Sequence, residues 1–393
     1  MKKVFLFSLF LVLGLVLSQC LPVWLGEAFL TAEKVAKTLM FVCLAFIMIN
    51  VGREFELDKT KWRSYAADYF IAMATAAVPW IMVAFYYMFL LPADLFGNWD
   101  AWKENLLLSR FAAPTSACIL FTMLAAAGLR REWIYKKTQV LAIFDDLDTI
   151  LLMIPLQIFM IGFKWQLFAV VIVITFLLVI GWKKLGTIRL SQTWKSILFY
   201  AVCIVAVTES IYLLTKWMMG ADGAIHIEVL LPAFVLGMVM KTVHQHGNRD
   251  EKITGMISYL FMFLVGLSTP QFIGIDHGHR ITEAVGIIAA QPMPSWEVLV
   301  VHVIVVTLLS NLGKMFPLFF YRDRQLEERL ALSVGMFTRG EVGAGIIVIA
   351  MGYNLGGPAL IISVLSLVLN LLLTGGFVVI VKRLAQQAYG LKE

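Results

Sequence analysis

The sequence contains few charged residues. Of its 393 residues, only 15% are Asp, Glu, Lys or Arg, whereas 60% are hydrophobic and the mean hydropathy is +0.84. Soluble globular domains are closer to about 25% charged and about 45–50% apolar. The composition therefore excludes a soluble enzyme and an intrinsically disordered chain, and it indicates a polytopic membrane protein.

Cysteine and histidine are scarce, and neither is arranged as in a metal site. The four cysteines all fall in apolar stretches and are interpreted as small hydrophobic side chains. The two His-x-His pairs, at 244–246 and 277–279, lie in predicted loops with no third ligand nearby. The sequence therefore predicts no metal site, no cofactor and no enzyme active site.

The first residues resemble a secretory signal. Two lysines precede an apolar run over 4–17, which is followed by Ser-Gln-Cys at 18–20. A lipoprotein processing site has a small residue before the cysteine, where this sequence has Gln19. Because the apolar stretch also continues to residue 25, the run is predicted to be a retained first membrane helix.

Apolar segments follow one another along the whole chain with short connections. A transmembrane helix needs about 20 mainly apolar residues, so the protein is predicted to be all-α with about 12 transmembrane helices. No stretch is long enough for a soluble regulatory domain, and a single transmembrane unit over 1–393 is expected. The segments cover residues 4–24, 35–52, 65–91, 105–129, 134–162, 164–182, 194–219, 225–243, 252–274, 296–321, 330–352 and 358–384.

Lysine and arginine are distributed unevenly between the two sides of the predicted spans. With the N-terminus and every second loop on one side, that side holds 23 basic residues and the other holds 6. The positive-inside rule makes the richer side cytoplasmic, so both termini are predicted to be cytoplasmic. The predicted membrane is the inner (plasma) membrane of a bacterium. This distribution accounts for the net charge of +6, so no nucleic-acid partner is expected.

Three basic residues remain, and they lie within or at the mouths of predicted spans: Arg110, Lys314 and Arg339. A charge in the hydrocarbon region normally faces a cavity or an opposite charge. A buried lysine needs a carboxylate partner, and Asp145 is the natural candidate for Lys314. Lys314 could also carry a proton, and a purely structural ion pair is the alternative.

Three acids lie inside the fifth predicted span: Asp145, Asp146 and Asp148. On an α-helix they cover an arc of about 160°, and Thr149 falls between the first two. Hard monovalent cations take oxygen ligands, and a buried carboxylate can also take up and release a proton. The alternative is that these acids only anchor neighbouring helices, and this alternative stays open above all for Asp148.

Two predicted spans contain residues that interrupt a helix. In the fourth, Pro114 is followed by Thr115 and Ser116, and in the eleventh three glycines occur within the six residues 340–345. Irregular backbone at membrane depth is tolerated only where protein or water covers it, and paired discontinuous helices point to a transporter site. Either break alone could also be an ordinary kink.

Three short motifs occur in order along the chain. They are Phe-Asp-Asp at 144–146 in the fifth span, Gly-Lys at 313–314 in the tenth, and Thr-Arg-Gly-Glu-Val-Gly at 338–343 in the eleventh. Together they resemble the monovalent cation/proton antiporter family, specifically its bacterial-type sodium/proton exchanger branch, which is related to the potassium-efflux exchangers.

The resemblance implies an inverted-repeat fold in which broken helices of spans 4 and 11 cross. It also implies a homodimer with a linker helix at 164–182. The core ion-transport domain would cover approximately 65–162 and 296–384, and the dimerisation or scaffold domain approximately 4–52 and 194–274.

The resemblance also implies roles for individual residues. Asp146 would carry the cation and the proton in turn, and Asp145 would pair with Lys314. Asp148 departs from the family pattern, which has an apolar or small residue there. The predicted ion-binding residues are Asp146, Asp145, Thr115 and Thr149, the charge-compensating residues are Lys314, Arg339 and Glu341, and the additional candidates are Asp148, Ser116 and Asn311.

The expected function is secondary active exchange of sodium or lithium for protons. Two aspartates with the lysine go with electrogenic exchange in this family, at two protons per sodium ion. A potassium/proton antiporter of the same fold is the first alternative, and a cation channel is the second.

Overall fold

All regular elements are helices in a computed structural model of the protein, and no β-strand occurs within the described residues. The predicted all-α class is therefore confirmed. Both His-x-His pairs lie outside the described residues. The structure describes residues 2–26, 29–54, 62–130, 132–161, 166–184, 186–219, 229–240, 248–268, 286–353 and 355–390.

The α-helices follow the apolar segments of the sequence closely. We number them α1 to α14 in chain order, and short 3-10 turns occur between some of them. They are Lys2–Leu25, Phe29–Glu54, Trp62–Phe89, Trp99–Ser109, Ala117–Ala126, Trp133–Ile161, Gln166–Lys183, Trp194–Met219, Leu230–Val239, Asn248–Leu267, Trp296–Gly313, Leu326–Gly335, Glu341–Gly352 and Gly357–Tyr389.

Five stretches among the described residues are helical, long and apolar enough to cross a membrane. They confirm a multi-pass membrane protein, because a span needs about 20 apolar residues. The count of 12 spans and the inverted repeat stay predictions. The five stretches are Lys34–Arg53, Ser64–Phe89, Trp194–Met218, Trp296–Phe319 and Gly357–Tyr389.

Helices are interrupted at both places where the sequence predicted a break. The predicted span 105–129 is divided into α4 and α5 by a 3-10 turn, Arg110–Ala112, and four residues of irregular backbone. The predicted span 330–352 is divided into α12 and α13 by residues 336–340. Pro114 has no backbone N–H to continue a helix, and Gly340 weakens one, so both interruptions have a local cause.

The chain divides into two compact units. The first comprises Met1–Trp24, Lys61–Met160 and Val265–Glu393, and the second comprises Leu25–Thr60 and Ile161–Leu264. The first unit contains both interrupted helices and all the predicted site residues. The transport and scaffold roles expected for separate domains stay predictions.

The second unit is held together by close helix packing. A Cβ atom on Gly52 of α2 would overlap the backbone at Phe234, and one on Gly237 of α9 would overlap the backbone at Ile49. Small residues allow such close approach of helices in a membrane. At the end of α2, Arg53 donates hydrogen bonds to the side chains of Asn50 and Gln192, each at 3.0 Å.

In the first unit, polar contacts fix α11 against its neighbours. Thr307 hydrogen-bonds Ser366 of α14 at 2.9 Å. Gly313 lies so close to the backbone of Pro79 in α3 that a Cβ atom there would overlap it. These contacts hold the C-terminal half of α11 against α14 and α3, and the residue after the helix is Lys314.

Candidate functional site

Asp145 and Lys314 form an ion pair in the interior of the first unit. The Lys314 ammonium group donates to both carboxylate oxygens of Asp145, at 2.9 and 3.0 Å, and both side chains are fully buried. The backbone N–H of Thr115 donates a third hydrogen bond to the same carboxylate, at 2.7 Å. Asp145 is therefore held by α6, by the end of α11 and by the break between α4 and α5.

The two helix breaks contact each other at this pair. The backbone N–H of Ser116 donates to the carbonyl oxygen of Thr338 at 2.9 Å, and the Thr115 hydroxyl donates to Met336 O at 3.1 Å. These two hydrogen bonds therefore provide partners for polar groups at the breaks, where the regular helical hydrogen bonds are interrupted. Gly340 permits the approach, since a Cβ atom there would lie 2.7 Å from the Ser116 hydroxyl oxygen.

Arg339 joins three segments around the breaks. Its guanidinium group is fully buried and donates to the carbonyl oxygens of Pro114 at 3.2 Å and Ser310 at 3.3 Å. It thus supplies hydrogen-bond donors to carbonyl groups at the Pro114 break and near the C-terminal end of α11. Glu341 begins α13, but its side chain lies outside the described ones.

Asp146, the predicted carrier of the cation and the proton, directly follows Asp145 on α6. Its side chain is only 3% exposed. Thr149, also predicted as a ligand, donates its hydroxyl to the carbonyl oxygen of Asp145 at 2.8 Å. Because that hydrogen is engaged within the helix, Thr149 could offer an ion only the lone pairs of its oxygen.

Asn311 lies one helical turn before Lys314 and contacts α14. Its amide nitrogen donates to Asn370 Oδ1 at 3.1 Å, and both residues are buried. Its own Oδ1 accepts no hydrogen bond from the described part of the protein. A neutral oxygen acceptor of this kind suits a hard cation.

Arg110, in the 3-10 turn after α4, contacts Asp148, which follows Asp145 by three residues on α6. The Arg110 guanidinium group donates to the backbone carbonyl of Asp148 at 3.1 Å, and it stacks 4.6 Å above the ring centroid of Trp80. Tyr69 of α3 is the hydrogen-bond partner of the Asp148 carboxyl group. The sequence indicated that Arg110 is a basic residue within a predicted span, but no sequence pattern pointed to Tyr69 or Trp80.

Among the described side chains, the cluster is balanced in formal charge. The three aspartates at 145, 146 and 148 are matched by Arg110, Lys314 and Arg339, all of them buried. Buried charges are tolerated when opposite charges and hydrogen bonds compensate them. No group of three or more potential metal ligands occurs among the described His, Cys, Asp and Glu residues.

Two interrupted helices therefore meet at a buried cluster of acids and bases in a helical membrane protein. This is the architecture of an ion-coupled secondary transporter. Residues 2–385 match the family described as "Sodium/hydrogen exchanger, transmembrane", and the chain belongs to that family. No curated protein matches the sequence. The family match confirms the resemblance that the three motifs indicated, together with the assignment as a membrane antiporter.

Proposed function

We propose that the protein exchanges a monovalent cation, sodium or lithium, for protons, with Asp146 as the shared carrier. One observation carries the proposal above all. Asp146 directly follows an aspartate that Lys314 and Thr115 already hold, at the contact between two interrupted helices. In this arrangement Asp145 is structural, and Asp146 is the acid that binds the cation and the proton in turn.

The cycle rests on competition for one carboxylate. The ionised Asp146 carboxylate binds the cation, and protonation of Asp146 releases the cation. Hydroxyl oxygens of Thr115 and Thr149 and the amide oxygen of Asn311 are the further oxygen ligands we assign. The loaded site would then be exposed to the two membrane faces in turn, by alternating access.

We propose further that exchange is electrogenic, with more protons than cations moved in each cycle. The protein would act in a bacterial plasma membrane with cytoplasmic termini, as a homodimer, and serve pH homeostasis. The positive-inside distribution and the family membership support the orientation and the assembly.

The test is proton flux in proteoliposomes that contain a pH-sensitive dye. After a pH gradient is imposed at a clamped membrane potential, sodium, lithium or potassium is added in turn. We expect sodium or lithium to dissipate the gradient, and Asp146→Asn to abolish this response. Asp100→Asn is the matched control, because that aspartate lies on the surface beside Lys103.

The other outcomes separate the alternatives. A response to potassium alone would identify a potassium/proton antiporter. Cation flux without proton movement would identify a channel. Robust exchange by Asp146→Asn would show that another group is the carrier.

A further inference from the structure

Two polar pairs join α11 to α14 inside the first unit. Thr307 hydrogen-bonds Ser366 at 2.9 Å. One helical turn further along both helices, the Asn311 amide nitrogen donates to Asn370 Oδ1 at 3.1 Å. The partners are 59 residues apart in both pairs, and all four side chains are buried. The two pairs therefore share one helix interface and differ in their chemistry.

The hydroxyl pair uses all of its hydrogen-bond donors. The Thr307 hydroxyl donates to the carbonyl oxygen of Val303 at 2.7 Å, so it accepts in its contact with Ser366. Both hydroxyl hydrogens are then engaged within the protein. Serine and threonine often join membrane helices in this way, and a structural role accounts for the pair fully.

The amide pair does not use all of its polar groups. One hydrogen bond between two carboxamides leaves one carbonyl oxygen and one amino group unused. Here these are Asn311 Oδ1 and Asn370 Nδ2, which are both buried and have no hydrogen-bond partner among the described residues. Asn311 is 8% exposed and Asn370 is 0% exposed. Unpartnered polar groups in a protein interior are unfavourable and usually have a functional reason.

The amide pair lies next to the cluster of acids and bases. The backbone carbonyl oxygen of Asn311 accepts a hydrogen bond from the Lys314 N–H at 3.1 Å. The Lys314 ammonium group donates to Asp145 and is close enough to Asp146 for their charges to interact. The Asn311 side-chain oxygen carries no formal charge, so it can coordinate a cation at the cluster without changing the charge of the cluster.

We propose that Asn370 is a positioning residue of the cation site, and that it fixes the Asn311 carbonyl oxygen as the ligand that discriminates between cations. The inference rests on the proposed function and adds α14 to the elements that build the site. Asn370 holds the amino end of the planar Asn311 carboxamide, which sets the direction of the oxygen at the other end. The unused Asn370 amino group suits the oxygen of a water molecule that enters with the cation.

A fixed oxygen ligand selects cations by size. A cation that fits between the Asp146 carboxylate and the Asn311 oxygen contacts both ligands at their preferred distances, whereas a smaller or larger cation does not. If the oxygen can move, the site adapts to each cation and discriminates less between them. Neither amide gains or loses a proton, so Asn370 should not affect the number of protons exchanged.

The experiment measures the half-saturating concentrations of sodium, lithium and potassium for proton exchange in proteoliposomes at one pH. In Asn370→Leu, which is close in volume but lacks the amide, we expect the value for the preferred cation to rise about 10-fold, the low end for loss of a group that orients a metal ligand. The values for the other cations should change less, so the ratio between cations narrows. The slope of exchange against pH should stay as in the wild type.

Further variants test whether Asn370 acts through Asn311. Asn370→Asp keeps an oxygen acceptor for the Asn311 amide, so it should keep the wild-type ratio between cations. Asn311→Ala removes the ligand and should narrow the ratio as far as Asn370→Leu does. The double variant should narrow it no further, because both changes remove the same interaction. Ser366→Ala is the matched control, since it removes the hydroxyl pair at the same interface and should leave the ratio unchanged.

Two results would overturn the inference while leaving cation/proton exchange intact. One is an unchanged ratio between cations in Asn370→Leu, even if all three concentrations rise together, since the amide pair would then only join two helices. The other is a further narrowing in the double variant, which would show that Asn370 acts independently of Asn311. If Asn370→Leu does not fold, Asn370→Ala is measured against the same expectations. A wild type that responds to none of the three cations would instead remove the proposed function itself.

Discussion

Two aspartate–lysine pairs in the first unit have the same chemistry but different surroundings. Asp145 and Lys314 are fully buried, and the third donor to the carboxylate is a backbone N–H. Asp68 and Lys137 meet at 2.8 and 3.0 Å, with the lysine side chain 16% exposed, and the third donor is the Tyr321 hydroxyl at 2.7 Å. Both pairs include a residue of α6.

The difference shows how depth decides what an ion pair does. At the interior pair no water can replace a missing partner, so the loss of one side leaves an uncompensated charge. At the second pair the lysine reaches solvent, and water can take over part of its role. The interior pair holds the helix breaks in place, whereas the second joins the ends of α3 and α6 to the segment after α11.

Tyr321 shows that the second pair also fixes backbone conformation. Its φ of 53° is the only positive value for a non-glycine residue in the described part of the chain. Such a conformation is strained for a bulky residue. The hydrogen bond to Asp68, the edge-on contact of its ring with Trp133 at 5.6 Å and the Lys137 ammonium group 5.0 Å from its ring centroid hold it there.

The largest effect is expected from Lys314→Gln. It leaves the buried Asp145 carboxylate without its counter-charge, which costs about 3–5 kcal/mol of the free energy of unfolding. The measurement is denaturant or thermal unfolding in detergent. The double variant Asp145→Asn/Lys314→Gln should lose much less of the free energy of unfolding, because neither member of the ion pair is left charged and unpaired. Equal stability of Lys314→Gln and the wild type would contradict the assigned difference in depth.

A smaller effect is expected from Lys137→Gln. It removes charged hydrogen bonds that are partly accessible to water, which costs about 1.5–3 kcal/mol. The same unfolding measurement applies. Lys103→Gln is the matched control, since its partner Asp100 is exposed and such a pair contributes about 0–1 kcal/mol. If Lys137→Gln lowers the free energy of unfolding as much as Lys314→Gln does, both ion pairs are equally shielded from water.

The smallest effect near neutral pH is expected from Tyr321→Phe, at about 1.5 kcal/mol, the low end for a hydrogen bond to a charged group, because both Lys137 hydrogen bonds to Asp68 remain. Burial and the Asp68 carboxylate raise the pKa of the Tyr321 hydroxyl. A raised pKa stabilises the folded state fully below the unfolded-state value of about 10, and the contribution is lost as the pH rises above it.

The wild type should therefore lose stability between about pH 10 and pH 11 faster than Tyr321→Phe, so the two unfolding curves converge there. The measurement is thermal unfolding of both proteins at a series of alkaline pH values. Parallel loss in the two proteins would show that Tyr321 does not titrate differently in the folded state.

Much of the candidate site could be predicted from the sequence. Asp145, Asp146 and Asp148 stand out as acids in an apolar helix, and Pro114 and Gly340 break helices through local backbone properties. Partners that belong to other helices could not be predicted in this way. No pattern places Tyr69 at Asp148, because residues on different helices meet only through the packing of the fold.

The sequence by itself determined the all-helical membrane class, the family, the positions of the two helix breaks and the acids at membrane depth. Hydropathy and backbone preference are local properties, so they can be read along the chain. Only the tertiary structure decided that Asp145 is locked by three donors while Arg110 donates to the backbone of Asp148 and leaves its carboxylate short of donors. Hydrogen bonds depend on tenths of an ångström between distant segments, and those distances arise only when the helices pack.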